Sequence, residues 1–343
     1  MYNRFYRIVG ASWKPARVKT GLSRFGCFAQ NECRYKSVCL VMAMRRTWVW
    51  GVTAAVGAVL LLCFAGGAVL CESALRVPRK PPPPSPSGIA QWRPVQMTAR
   101  DGIVLKAWLL SPEIDNGNYV ITLHGIGDSR TGTAALARLF FDNRYKVLMP
   151  DSRGHGESGG EIVTYGLVEA GDIRSWVDWL IASERPRNIF AMGESFGAAV
   201  LLQSLSVEPR VSGVVAECPF ANFKAIAEYR VAQRLPIASP LARATAAPLV
   251  WSGFLYARLK YGVDFHAASP EAAVGATRTP ILLIHGLDDK NTPPLHSQVI
   301  ASRRPNIDLW LVPGAGHTGA FQAAPGEFRY RVLSWLSNHT KFP

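Results

Sequence analysis

The sequence predicts an α/β protein with a mostly parallel sheet covered by helices on both faces, preceded by an N-terminal transmembrane helix. Three observations carry this. Short runs such as Tyr119–Leu123, Ile189–Met192 and Ile281–Ile284 are apolar throughout, as strands buried on both faces are. Stretches with helical spacing of their apolar residues separate these runs, so strand and helix alternate. From Trp48 to Cys71, 24 residues carry no charge, more than the ~20 an α-helix needs to cross a bilayer. With 343 residues, 48% of them hydrophobic and 18% charged, the chain can bury a full core and is not a disordered polymer.

Residues 1–47 form a basic tail. Residues 1–46 hold ten Lys and Arg against the single Glu32, a net +9 that leaves +5 for the remainder. The high charge therefore belongs mainly to the tail. It lies ahead of the apolar run and has no recognition fold, so no nucleic-acid partner is expected. Residues 1–43 show no clear periodicity, and Met42 or Met44, just before Arg45-Arg46, would make a natural start for a membrane signal. An over-extended start and a genuine tail both remain as readings.

The run 48–71 is read as a transmembrane anchor, with its length favouring that over a cleaved signal. The competing signal reading rests on Arg45-Arg46, the apolar run and the small residues Ala65-Gly66-Gly67-Ala68. A basic N-terminal side favours a cytoplasmic N-terminus, which places the rest of a single-pass chain outside the cytoplasm. Under the competing reading the protein is secreted. Residues 72–90, with Pro78 and the prolines around Pro86, are expected to be an extended spacer holding the domain off the membrane.

Residues 91–343 are expected to form one α/β domain. Val95–Ala99 and Ile103–Leu110 read as a hairpin closed at Asp101-Gly102. Short strands follow at Tyr119–Leu123, Lys146–Met149, Ile189–Met192, Gly213–Ala216, Ile281–Ile284 and Ile307–Val312. Helical stretches lie at 131–143, 166–183, 195–207, 221–260, 293–303 and 325–338. An insert at about 221–278 carries Pro236, Pro240 and Pro248, expected to break its helical pattern. It is either a lid over a site or a set of helices packed on the sheet. Of the six cysteines only Cys218 falls in the domain, so no disulfide framework is expected. Cys27, Cys33 and Cys39 lack the close pairing of a zinc site, so no metal and no cofactor are assigned.

The chemistry is read from four post-strand loops. Gly193-Glu194-Ser195-Phe196-Gly197 fits the G-x-S-x-G turn that exposes a serine hydroxyl between a strand and a helix. His124-Gly125-Ile126-Gly127 follows another strand, and the backbone N–H groups of Ile126 and Phe196 are candidates for an oxyanion hole. The loop after Ile281–Ile284 supplies Asp289 as the preferred acid, with Asp288 and Glu217 as alternatives. The glycine-rich loop after the last strand carries His317, whose imidazole can take and return a proton near neutral pH. Serine, acid and histidine follow in the chain order expected on this architecture.

These residues resemble the α/β-hydrolase superfamily, from roughly Gln91 to the C-terminus. The match also includes Asp151-Ser-Arg153-Gly154-His155-Gly156-Glu-Ser158-Gly159, His285-Gly286 and Gly316-His317. It looks closest to the membrane-anchored, serine-aminopeptidase-like or monoglyceride-lipase-like branch. The resemblance implies an α/β-hydrolase fold with an eight-stranded sheet. It also favours Asp289 over Asp288, because the acid falls three residues after the His-Gly glycine, and it makes His155 a loop-shaping residue.

The expected function is a metal-free serine hydrolase cleaving a carboxylic ester or thioester through an acyl-enzyme on Ser195, with Asp289 and His317 completing the triad. An exopeptidase or amidase using the same residues is the first alternative, and a non-catalytic membrane-anchored binding domain the second. Expected partners are a small-molecule or lipid-like acyl substrate and the membrane through residues 48–71. Oligomeric state is not legible.

Overall fold

The computed structural model describes residues 26–237 and 239–341. Most of the basic tail, and the side chains of Cys27 and Cys33, lie outside the described residues. The chain divides into two units, one ending at Leu60 and the other beginning at Leu61. Helix α1, Gly26–Leu75, contributes to both. It extends past the uncharged run at each end, and Lys36–Leu75 is long and apolar enough to cross a membrane by length and composition. Residues 1–43 show no clear periodicity, yet Cys27–Thr47 contains neither Gly nor Pro, the two residues that most oppose a helix.

In the second unit eight strands form one sheet: β1 Trp92–Thr98, β2 Val104–Leu110, β3 Asn118–Leu123, β4 Lys146–Pro150, β5 Asn188–Glu194, β6 Gly213–Glu217, β7 Ile281–Gly286 and β8 Ile307–Val312. Their order is β1-β2-β4-β3-β5-β6-β7-β8. The hairpin strands β1 and β2 are antiparallel, β2 pairs antiparallel with β4, and every other pairing is parallel. The helices are α2 Ala134–Asp142, α3 Glu169–Glu184, α4 Phe196–Ser204, α5 Phe223–Arg234, α6 Ser239–Tyr261, α7 Pro270–Gly275, α8 Leu295–Ala301, α9 Ala320–Ala323 and α10 Pro325–Asn338.

The inner strands β3 to β7 are buried almost end to end because both faces are covered, whereas the edge strands β1 and β8 are partly exposed. In β3, Tyr119, Ile121 and Leu123 join the core beneath α3 and α4, whereas Val120 points into the core with Phe140 of α2 and Phe328 of α10. Parallel strands in this arrangement end at one edge of the sheet, and loops at that edge hold the site.

Two expectations are corrected. The helical stretch 221–260 is two helices, interrupted around Pro236, but Pro248 lies inside α6 without ending it. A proline there forfeits one backbone bond; the neighbours Ala246 and Val250 are buried, and their packing offsets the loss. Residues 72–90 are also not a free spacer. The Leu75 carbonyl accepts the Val163 N–H at 2.9 Å, and the Arg79 guanidinium donates to the carbonyls of Ser158 and Gly160. Ile89 is buried as well. Prolines remove donors from this stretch, so docking falls to its arginine, its carbonyls and its flanking apolar side chains.

Candidate active site

Ser195 occupies the joint between β5 and α4 with φ 52° and ψ −112°, a conformation costly for a residue with a Cβ. Its N–H is held by the Glu217 carbonyl at 2.8 Å. Close approach, rather than backbone angle, explains the flanking glycines. A Cβ at Gly193 would lie 2.6 Å from the Gly197 carbonyl carbon, and one at Gly197 would lie 2.3 Å from the Leu123 carbonyl oxygen. The strand-to-helix turn therefore presses against β3, and Ser195 stands out at the sheet edge.

The loops after β5, β7 and β8 bring Ser195, Asp289 and His317 together. His317 Nε2 lies 2.9 Å from Ser195 Oγ, and its Nδ1 lies 2.7 Å from Asp289 Oδ2. The carboxylate can only accept, so Nδ1–H donates to it and Nε2 is left to accept the serine hydroxyl proton. Burial of Asp289 favours its neutral form, but hydrogen bonds from His285, His317 and the Thr292 N–H outweigh this and hold the carboxyl well below the usual range. Asp289 Oδ1 also accepts the N–H groups of Asn291 at 2.8 Å and Thr292 at 2.9 Å.

The other candidate acids stand elsewhere. Asp288 is exposed. Glu217 is buried and accepts the Ala320 N–H at 3.0 Å.

The loop after β3 is shaped by two buried histidines. His124 Nδ1 donates to the Gly125 carbonyl at 2.8 Å, and its Nε2 accepts the Ser152 N–H at 3.1 Å. His155 Nδ1 donates to the Arg153 carbonyl at 2.9 Å, and its Nε2 accepts the Gly127 N–H at 3.0 Å. Burial, and then mutual repulsion with His155, push His124 down to about 4, so it stays neutral. The chain is thereby fixed on either side of Ile126. Ile126 and Phe196 both line the cavity that contains Ser195. Phe196 is the first residue of α4, where a backbone N–H has no partner within the helix.

Three further neighbours, His285, Glu194 and Cys218, have no role assigned from the sequence. His285, fully buried at the end of β7, is held between Ser297 Oγ at 2.6 Å and the Thr292 carbonyl at 2.7 Å. A histidine closing an apolar strand is the hint that was available, since a buried imidazole requires partners. Glu194 lines the cavity beside Ser195; burial, followed by the charge of Glu217, pushes its carboxyl up to about 8. Burial likewise raises Glu217 to about 7.

Cys218, with φ 53°, accepts the Thr318 N–H at 3.4 Å. Its sulfur lies within 4.8 Å of donor atoms of Asp289 and His317, a set that could hold a metal ion. Burial first, and then Glu217, push the Cys218 thiol up, and Asp289 and His317 are already bonded to one another. A metal would have to displace the thiol proton and break that bond.

A cavity of about 760 Å³ opens on Ser195 and His317, within the ~300–1,000 Å³ range of small-molecule sites. Helices α5 and α6 of the insert line it with Phe223, Ile226, Val250 and Phe254, so the insert covers the site. It is also tied to the acid loop. Tyr229 donates from its hydroxyl to the Lys290 carbonyl at 3.1 Å, and Arg230 donates to Asn291 Oδ1 at 2.8 Å.

A tight strand-to-helix turn and facing loops at the carboxyl edge of such a sheet define a class, and the chain belongs to it: residues 120–329 match the alpha/beta hydrolase family. Among individual proteins, it is similar to the uncharacterized protein YqkD of Bacillus subtilis, 27% identical over 243 residues that cover 69% of this chain and 76% of the relative. It is also similar to the uncharacterized protein YfhR of Escherichia coli, 25% identical over 253 residues, 71% of this chain and 79% of the relative. Among solved structures, the Pyrococcus furiosus esterase Pf2001 superposes with a TM-score of 0.63 at 25% identity, over 78% of this chain and 100% of that one.

Proposed function

We propose that this hydrolase is a serine esterase, cleaving a carboxylic ester or thioester through an acyl-enzyme on Ser195. The observation that carries the proposal is the unbroken line of hydrogen bonds from Asp289 through His317 to Ser195. Similarity to a solved esterase supports the same reaction class.

Ser195 Oγ attacks the acyl carbon while His317 Nε2 takes its proton. The carbonyl oxygen becomes an oxyanion, stabilised by the N–H groups of Ile126 and Phe196. Asp289 holds the imidazole in the tautomer whose Nε2 is free and stabilises the imidazolium. The tetrahedral intermediate collapses by breaking the bond to the alcohol or thiol, which leaves with the proton from His317. Water then attacks the acyl-enzyme, gives a proton to His317 and releases the acid; the proton returns to Ser195.

Membrane attachment through residues 48–71, with the catalytic unit outside the cytoplasm, fits one long apolar helix among the described residues, preceded by basic residues. It would bring the site to amphiphilic acyl substrates, as expected of a monoglyceride-lipase-like enzyme.

The test is Ser195→Ala in the full chain. Turnover of p-nitrophenyl butyrate should fall to background with the melting temperature retained. Turnover at the wild-type rate would refute the mechanism.

A further inference from the structure

The end of α1 is built into the catalytic unit. At Gly67 a Cβ would lie 2.0 Å from Ser252 Oγ and 2.6 Å from the Leu249 carbonyl oxygen, and at Gly253 one would lie 2.8 Å from the Gly67 carbonyl oxygen. Neither position admits a larger side chain unless α1 and α6 part. Small residues at such crossings are how apolar helices associate where water does not drive them together.

Four hydrogen bonds fasten the same pair. Ser252 donates to the Cys63 carbonyl at 2.9 Å. Further along, Glu72 accepts from the Tyr256 hydroxyl at 2.5 Å, the Tyr261 hydroxyl at 2.7 Å and the Lys260 ammonium at 2.7 Å, all on α6.

This docking has two consequences. Gly67, Leu70, Cys71 and Ala74 of α1 line the same cavity as Ser195. Residues 61–71 also belong to the uncharged run, so wherever they enter lipid the part of α6 fastened to them enters too. Cys63 lies eight residues before Cys71, about 12 Å along a helix. The outer surface of that part of α6 suits the position: Leu241 and Trp251 are exposed, and tryptophan is enriched at membrane–water interfaces.

We infer that the substrate is a membrane-resident ester with a long acyl chain, whose tail lies against the end of the membrane helix, where Gly67, Leu70, Cys71 and Ala74 set the chain length accepted. This rests on the serine-esterase reading above and adds a substrate class to it. The anchor is then both an attachment and a wall of the acyl pocket. The reaction is unchanged: the acyl carbon transfers to Ser195, the alcohol departs and water releases the fatty acid.

The test uses the full chain in phosphatidylcholine vesicles, with p-nitrophenyl palmitate and p-nitrophenyl butyrate as probes. Wild type should show at least a tenfold higher kcat/KM for palmitate. Gly67→Val, which forces the helices apart, should lower the palmitate-to-butyrate ratio about tenfold or more. Glu72→Ala, a milder change at the fastening, should lower it in the same direction and serves if Gly67→Val does not fold. A wild-type preference for butyrate, or an unchanged ratio in a folded variant, would overturn the inference while leaving the esterase reading standing. Ester turnover that survives Ser195→Ala, or no turnover of either ester by wild type, would count instead against that reading and the inference resting on it.

Discussion

His285 Nε2 stands 3.3 Å from Asp289 Oδ2, with its N–H shared between that carboxylate and the Thr292 carbonyl. Asp289 is therefore held from two sides, by His317 in front and by His285 behind. On the esterase reading His285 is a positioning residue, reaching the acyl centre through Asp289. Hydrogen bonds to charged groups contribute about 1.5–3 kcal/mol, so His285→Ala should lower kcat/KM for a short ester roughly 10- to 100-fold. The loss should fall mainly on kcat, with KM little changed and the pH–rate profile displaced. An equal loss in kcat and KM with an unmoved profile would mean only general loosening of the fold.

Asp289→Asn retains shape but replaces an acceptor with an amide that can donate, which favours the wrong imidazole tautomer. By analogy with other triads, kcat should fall about 10³- to 10⁴-fold. Steady-state kinetics at pH 7 will measure it. Asp288→Asn, at the exposed neighbour, should stay close to wild type.

The pair Glu194 and Glu217 gives stability a definite pH sign. Both carboxyls are raised in the fold, to about 8 and about 7 from an ordinary 4.5. Between those limits the folded state binds more protons than the unfolded one. Their contribution is thus fully present below about pH 4.5 and lost as pH rises through 7 to 8. Melting curves from pH 5 to 9 should show a falling transition temperature, and Glu194→Gln, which has no proton to lose, should fall less. Parallel curves for the two proteins would contradict the assignment.

Gly197→Ala tests the elbow's packing. The new methyl would meet the Leu123 carbonyl at 2.3 Å, and backbone cannot yield as a flexible side chain can. Overpacking costs about 1–3 kcal/mol, and at ~2–4 °C per kcal/mol for a large domain the melting temperature should drop by roughly 5 °C. Calorimetry of the two proteins decides it.

The inner strands were legible because strands buried on both faces are apolar along most of their length, and the hairpin from its Asp101-Gly102 turn; each of the eight stands near its predicted run. The convergence of Ser195, Asp289 and His317 was legible for a related reason: parallel strands end at one edge, so post-strand loops meet there. What stayed hidden depends on contacts between distant residues. Glu72 meets Tyr256 across 184 positions, and neither helical period nor hydropathy records such a partner. The reading of 72–90 as a spacer failed similarly, since proline content describes backbone stiffness but not the docking of Arg79. Pro248 inside α6 shows packing overriding a local preference.

On the esterase reading, Ser195 carries the acyl group during turnover. The check is to mix the full chain with excess p-nitrophenyl butyrate, quench in acid within the first turnovers and map peptides by mass spectrometry. A butyryl group, a gain of about 70 Da, should appear on the peptide containing Ser195 and be absent from Ser195→Ala. A butyryl group on another residue, or ester turnover with Ser195 never modified, would contradict it.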